Sequence, residues 1–413
     1  MGAAACSTLE SAVRAGAVVA GPDWGRCGAA PAAPCRGPSR LEAAPGLCAA
    51  PLHPAAVAHL LARRGAAAAT TARLRAELGG QCTEVGQGDL WQGARIGSGS
   101  WSAVYTGEWR DRRVAIKAFR HFRPDVPEES ERQWSMFTRE ARMLQGLRSP
   151  RIVELLGVCV SADGCPCLVL ELADGGTLHE LLHGQRRLRP ARLQPVHRFL
   201  LGLHLTEGVE YLHAQLPPIV HRDLKSHNVV VVSGAGGLPR GAKLIDLGLA
   251  QRAAGGGSAE VAPASKAPAG AHTAPEERRG LQVQGSAGYM APECLAEPPP
   301  GAPPPGPACD VWALGCVLAE VFGGAPPHAE CSDLRQVADK VLVRQAPPDV
   351  PPHADLAAGG ESGDCAVGDL LGSCFALEAA RRPRAAAVLR GLQGLAASRG
   401  FDLLCAAADE QAL

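Results

Sequence analysis

Asn228 is the only asparagine in this 413-residue chain, and it stands five residues after Asp223 in His221-Arg222-Asp223-Leu224-Lys225-Ser226-His227-Asn228. Lysine is nearly as scarce, with five residues against thirty-six arginines. Yet Lys225 lies inside the same string, and Lys117 closes the run Val114-Ala115-Ile116. A chain so biased toward Ala, Gly, Pro and Arg can solvate any surface with arginine. Arginine cannot replace an amide as a compact metal ligand, nor a slim ammonium between phosphates. The string therefore marks a place where an acid, an amine and an amide act together, and the fold must bring it there.

Length suggests two or three folding units. Net charge is zero, so nothing predicts a nucleic-acid partner. No run of about eighteen apolar residues exists, so no membrane span is expected. The fifteen cysteines are an odd number without a signal-peptide pattern, and reduced thiols in a cytosolic or nuclear setting are expected. No Cys-x-x-Cys pair with a matching second pair occurs, so that spacing predicts no zinc site.

Texture changes along the chain. Residues 1–88 are rich in Ala, Gly and Pro and are expected to be mostly disordered. Within them, Ala55 to Leu78 has the composition of an Ala- and Arg-rich helix. From about Asp89, short β-branched runs predict strands around Ile96, Val104, Val114 to Lys117, Ile152 to Val160 and Cys167 to Leu172. Glu131 to Leu147 carries Trp134, Phe137, Ala141, Leu144 and Leu147 at helical spacing. After Gly176 the pattern is mainly helical, with long apolar helices over Phe199 to His213 and Val311 to Phe322. The expected fold class is α+β, with a small β-rich N-lobe (89–172) and a larger helical C-lobe (173–397). Low-complexity inserts near 253–284 and 298–307 read as exposed loops, and 398–413 as a C-terminal tail.

Further motifs accompany the His-Arg-Asp string. Ile96-Gly97-Ser98-Gly99-Ser100-Trp101-Ser102-Ala103-Val104 is a glycine-rich turn whose backbone can approach phosphates closely. Lys117 lies twenty residues after Gly97, and Glu140 lies twenty-three after Lys117. Asp246-Leu247-Gly248 follows the strand-like Ala242 to Ile245, and Ala291-Pro292-Glu293 comes later. Taken singly, several have ordinary readings: a hairpin turn, a solvated strand end, an exposed helix carboxylate.

Together, in this order and spacing, the motifs resemble a complete eukaryotic protein kinase domain over about three quarters of the chain. Asp223-Leu224-Lys225-Ser226 and Gly285 to Glu293 resemble serine/threonine kinases. Leu170-Glu171-Leu172-Ala173-Asp174-Gly175-Gly176-Thr177-Leu178 looks like the hinge of the tyrosine-kinase-like group, near the mixed-lineage and Raf-like kinases. The resemblance implies a bilobal fold, ATP and Mg²⁺ as cofactors, and protein substrates. It makes Asp223 the residue that orients the acceptor hydroxyl and Lys225 the neutraliser of the transferred phosphoryl group. Lys117 and Glu140 become an ion pair steering the α- and β-phosphates, with Asn228 and Asp246 as metal ligands. The ATP site is implied at Ile96, Gly97, Ser98, Gly99, Val104, Ala115, Lys117, the gatekeeper Leu170, and Glu171, Leu172 and Ala173 of the hinge. A stacked apolar spine of Leu144, Leu155, Leu247 and His221 is implied too. Structural roles fall to Glu293 with Arg382 and to Asp310 beneath the catalytic loop.

Three departures bear on function. Ser102 replaces a third loop glycine and Leu247 the usual Phe, which keeps a non-catalytic kinase fold as the alternative. Arg222 implies control by a phosphorylated activation loop, yet 274–285 contain no Ser, Thr or Tyr, which predicts either weak dependence on such a phosphate or use of Thr273. Gly2 and Cys6 together could carry two lipids. The expected location is cytoplasmic, with membrane anchoring through Gly2 and Cys6 as the alternative, and the oligomeric state is not specified.

Overall fold

The computed structural model describes residues 54–99, 101–119, 127–184, 193–253, 287–296, 303–350 and 366–401. All belong to one unit, Pro54–Leu413.

Five strands form the first lobe: β1 (Leu90–Ser98), β2 (Ala103–Trp109), β3 (Arg112–Ala118), β4 (Leu155–Val160) and β5 (Pro166–Glu171), in antiparallel order β1-β2-β3-β5-β4. Along β3, alternation sends Val114, Ile116 and Ala118 into a cluster on one sheet face. Ala115 and Lys117 therefore face the opposite way, toward helix α2 (Pro127–Gln145). That helix begins with Glu128 and Glu129, favourable at the positive end of the helix dipole. It buries Trp134, Phe137, Ala141 and Leu144, and the 3-4-3 spacing puts these on one stripe. Glu140 lies beside that stripe and is buried with it.

Helix α1 (Pro54–Leu78) corrects the expected domain boundary at residue 88. The helix itself accords with its composition, but it is not part of a loose tail. Leu74 and Leu78, one turn apart, are buried in the core shared with Trp134 and Phe137. Arg73 clasps Glu131 through two bonds of 2.6 and 2.8 Å, and its guanidinium lies 4.5 Å from the Trp134 ring centre. Residues 1–53 lie outside the described residues.

The second lobe is built on α4 (Pro195–His213) and α6 (Pro307–Val321), which are apolar nearly all round and buried accordingly. Around them stand α3 (Leu178–His183), α5 (Pro292–Leu295), α7 (Leu334–Ala338), α8 (Ala366–Cys374) and α9 (Ala385–Ser398). Two short ribbons, β6 (Ile219–Val220) with β9 (Gln251–Arg252) and β7 (Val229–Ser233) with β8 (Pro239–Leu244), frame the loop that carries Asp223. Pro307 serves as the first residue of α6, where its missing N–H costs nothing, so the expected insert 298–307 ends as helix. The described residues before it, 303–306, are exposed except for the half-buried Pro305. The insert near 253–284 falls, apart from Ala253, outside the described residues. At the other end, Phe401 packs on Phe199, ring centres 5.3 Å apart. The domain therefore runs three residues beyond α9 into the expected tail.

Candidate active site

The Lys117 ammonium sits 2.8 Å from both carboxylate oxygens of Glu140 and 3.0 Å from Asp246 Oδ1. The sheet, α2 and the segment after β8 thus meet at one cation. Lys117 and Glu140 are almost fully buried. Burial pushes the Glu140 carboxyl up to about 7, with Lys117 opposing and Asp246 adding like charge. Burial would also raise Asp246, but Lys117 and His221 hold it below the ordinary aspartate value. Burial would lower Lys117, and the two carboxylates overcome it and raise that amine. Asp246 adopts φ 63°, an uncommon left-handed conformation for a non-glycine residue. Leu247 next to it is fully buried in the core that contains Leu144, so leucine fills the apolar position that the resemblance implied. Of the residues of the expected spine, Leu144, Leu247 and His221 are buried, and Leu155 packs against the core that contains Leu144 and Leu247.

The loop between β6 and β7 is held from below. Asp310 of α6 accepts the backbone N–H of His221 at 2.7 Å and that of Arg222 at 2.9 Å. Its own pKa lies below the ordinary value: burial would raise it, and His213, 2.9 Å away, outweighs that effect. These bonds fix Arg222 at φ 67°, a second left-handed non-glycine residue. The Asp223 carboxylate is then gripped by Lys225 Nζ at 2.7 Å and Asn228 Nδ2 at 2.9 Å. Asn228 Nδ2 also donates to the Asp223 carbonyl at 2.7 Å. The lone asparagine and one scarce lysine thus converge on the same acid. Arg222 Nη1 donates to Gln251 Oε1 at 2.8 Å. Thr273, the expected alternative phosphate acceptor, lies outside the described residues.

The expected nucleotide-binding residues lie on β1, the β1–β2 turn, β2, β3 and β5, and just after β5. Gly97 and Ser98 pair with Val104 and Ala103 across the β1–β2 hairpin, and Gly99 N–H bonds Ser102 C=O at 2.8 Å. The turn therefore closes with serine where a third glycine was usual. Ile96 is half exposed at 50 %. Leu170 pairs with Ala115 on one side and Leu155 on the other, and Ala115 and Leu170 are buried. Glu171, Leu172 and Ala173 follow, partly exposed, at the junction of the lobes.

Several contacts escaped sequence reasoning. Lys243 of β8 bonds the Glu171 carboxylate at 2.8 Å, tying the second lobe to the hinge. The scarcity of lysine was a usable signal for that residue. Ser226 and Tyr289 donate to the buried Glu320 carboxylate at 2.9 and 2.8 Å, an association with no local spacing. The expected Glu293–Arg382 pair is present as a fork of 2.7 and 2.8 Å.

A model of the protein kinase domain matches residues 91–391. The chain belongs to the protein kinase family. Curated relatives include a probable serine/threonine-protein kinase, SIS8, of Arabidopsis thaliana, 29 % identical over 310 residues, covering 74 % of this chain and 25 % of that protein. Human mitogen-activated protein kinase kinase kinase 11 is 30 % identical over 311 residues, covering 73 % and 31 %. The serine/threonine-protein kinase TNNI3K of Mus musculus is 36 % identical over 140 residues, covering 33 % and 15 %. The chain spans about a quarter to a third of the length of the first two relatives. The chain is similar to kinases whose names give the serine/threonine type or a mitogen-activated protein kinase kinase kinase.

Proposed function

We propose that this kinase transfers the γ-phosphoryl group of ATP to protein Ser and Thr hydroxyls through Asp223, Lys225, Lys117, Glu140, Asn228 and Asp246. The convergence of Glu140 and Asp246 on Lys117 Nζ, at 2.8 and 3.0 Å, carries this reading. It is the arrangement in which a lysine is charged, fixed and close to a metal-binding carboxylate before any nucleotide arrives. A silent scaffold would have no need to hold all six groups, and this opposes the non-catalytic alternative.

Bound ATP with a divalent cation supplies the activated phosphoryl group and its leaving group. An amide oxygen of Asn228 and a carboxylate of Asp246 are hard oxygen donors, which suits Mg²⁺ better than a soft metal. Lys117 orients phosphate oxygens, and Glu140 keeps its ammonium in place. Asp223 accepts the hydroxyl proton or orients the hydroxyl, and Lys225 stabilises charge on the transferred group. Catalysis is mostly positioning and electrostatics. The names of the relatives support the reaction, and they point to several different pathways, so no single substrate protein follows from them.

The thiols of Cys82, Cys159, Cys165, Cys167, Cys294, Cys309, Cys316, Cys331 and Cys374 are unbridged, which supports a reducing, cytoplasmic setting. Fractionation of Gly2→Ala beside wild type separates this from lipid anchoring: a shift from membrane to soluble fractions would favour the anchor. The reaction itself is tested by transfer from ATP–Mg²⁺ to a generic basic protein beside Asp246→Ala. Phosphoserine or phosphothreonine that vanishes in the variant supports the assignment. An unchanged signal in Asp246→Ala would refute it.

A further inference from the structure

Helix α3 places His179 and His183 four residues apart, so both imidazoles leave the same helical face. Opposite them stands Glu320 in the last turn of α6, its side chain fully buried. His183 Nε2 lies 2.7 Å from Glu320 Oε2. One ring nitrogen from each histidine and one Glu320 oxygen all lie within 4.8 Å of one another. His179 Nδ1 is 3.3 Å from Ser226 Oγ, and a third imidazole, His227, stacks on His179 at 3.7 Å between ring centres. His227 Nδ1 is buried without a hydrogen-bond partner. An ion pair with one carboxylate requires one imidazole, not three.

From this cluster we infer that His179, His183 and Glu320 form a binding site for a divalent transition metal, with Zn²⁺ the ion that fits. Two imidazoles and a carboxylate suit a borderline-soft ion and leave a fourth position for water. Mg²⁺, which takes oxygen ligands, does not match. Four-coordinate Zn²⁺ holds its ligand atoms about 2 Å from the metal, so small ring rotations at the partly exposed histidines must widen the His183–Glu320 gap and draw His179 in. Ser226 and Tyr289 already orient the carboxylate, as outer-sphere partners of metal ligands do.

His179-Glu180-Leu181-Leu182-His183 has the His-Glu-x-x-His spacing of helical zinc sites in which the glutamate acts as a base. Here Glu180 is engaged elsewhere. Its carboxylate accepts the Thr177 N–H at 3.1 Å, closing a capping box at the start of α3. The site therefore holds metal without hydrolytic chemistry. An ion here joins α3 and α6 to the catalytic loop, because Ser226 lies between Lys225 and Asn228.

The test uses the full-length chain, reduced and stripped of metal, titrated with Co²⁺ and separately with Zn²⁺ in the absence of nucleotide. Wild type is compared with His179→Gln and His183→Gln, whose metal-free melting curves report whether each variant folds. Wild type should bind one equivalent more than either variant, with visible bands of four-coordinate Co²⁺ and no thiolate charge-transfer band from that equivalent. Affinity for that equivalent should fall more than about 100-fold in the variants, beyond the loss from removing an outer-sphere partner. Zn²⁺ should raise the melting temperature of wild type alone. Equal stoichiometry in all three proteins, or thiolate bands accompanying every bound ion, would overturn the site. If one variant does not fold, the other decides.

Discussion

The Trp134 indole donates to the Glu77 carboxylate at 2.9 Å, and this bond ties the N-terminal helix α1 to the helix that carries Glu140. Glu77 also accepts from Arg73 at 2.9 Å, so one carboxylate serves both helices. In kinases the position of the glutamate helix decides whether the lysine pair forms. Helix α1 should therefore support activity as well as stability. Leu74→Ala is expected to cost about 2–4 kcal/mol in urea unfolding, as for other buried leucines. A double-mutant cycle on Glu77→Gln and Trp134→Phe should show a coupling of about 1 kcal/mol. Phosphoryl transfer should fall in each variant. Undiminished transfer after deletion of residues 54–78 would rule out a role for α1 in holding Glu140.

Glu140 gives a pH dependence with a definite sign. Burial raises its carboxyl from 4.5 to about 7. Between these values the folded protein retains a proton that the unfolded chain has lost, so the contribution of this group to stability falls as pH rises through the window. At roughly 1.4 kcal/mol per unit the difference is about 3 kcal/mol. Asp246 is held below its ordinary value, and its opposite term acts at more acid pH. The stability advantage of wild type over Glu140→Gln should shrink between pH 5 and pH 8 in urea titrations. Transfer activity, which needs the ionised pair, should rise through pH about 7 in wild type. A flat difference between the two proteins would contradict the raised carboxyl.

Legibility followed sequence separation and side-chain size. Asp223, Lys225 and Asn228 could be recognised because five residues of chain hold them together, and rarity of Asn and Lys marked them. The β3 alternation and the α2 stripe were equally visible, since each records which face is buried. Helix α1 was foreseen as a helix but not as part of the domain. Its docking rests on Leu74 and Leu78 among alanines, too few apolar residues to stand out in an Ala-rich background. Glu320 could not be read as the centre of a polar cluster. It lies 94 residues from Ser226 and 137 from His183, and only the packed lobe brings them together. Lys243 was overlooked because its partner Glu171 had been assigned to the hinge by its backbone.

Arg382 is expected to be among the least replaceable residues outside the site. Its side chain is fully buried and makes the fork to Glu293, with further bonds to the carbonyls of Ala376 at 2.8 Å and Ala308 at 2.9 Å. Arg382→Ala strands these acceptors and should cost about 3–5 kcal/mol. Lysine keeps the charge but has no planar fork, so Arg382→Lys should recover only part of the loss. Chemical unfolding of the three proteins measures this. Full rescue by lysine would show that charge alone, rather than the fork, holds Glu293.

Asp310 offers a way to separate loop geometry from nucleotide binding. Its two oxygens accept the N–H groups of His221 and Arg222 and the imidazole of His213, and Arg222 keeps its left-handed backbone only while those bonds persist. In Asp310→Asn one oxygen becomes an NH₂ group that faces a donor. That leaves a buried N–H unsatisfied, at a cost of about 1–3 kcal/mol, and relaxes the loop that aims Asp223. Asp310 touches none of the residues expected to hold adenine. The turnover number should therefore drop about 10- to 100-fold while KM for ATP stays near the wild-type value, and steady-state kinetics with varied ATP distinguishes the two. A rise in KM for ATP with unchanged turnover would mean that the loop bonds serve binding instead of alignment.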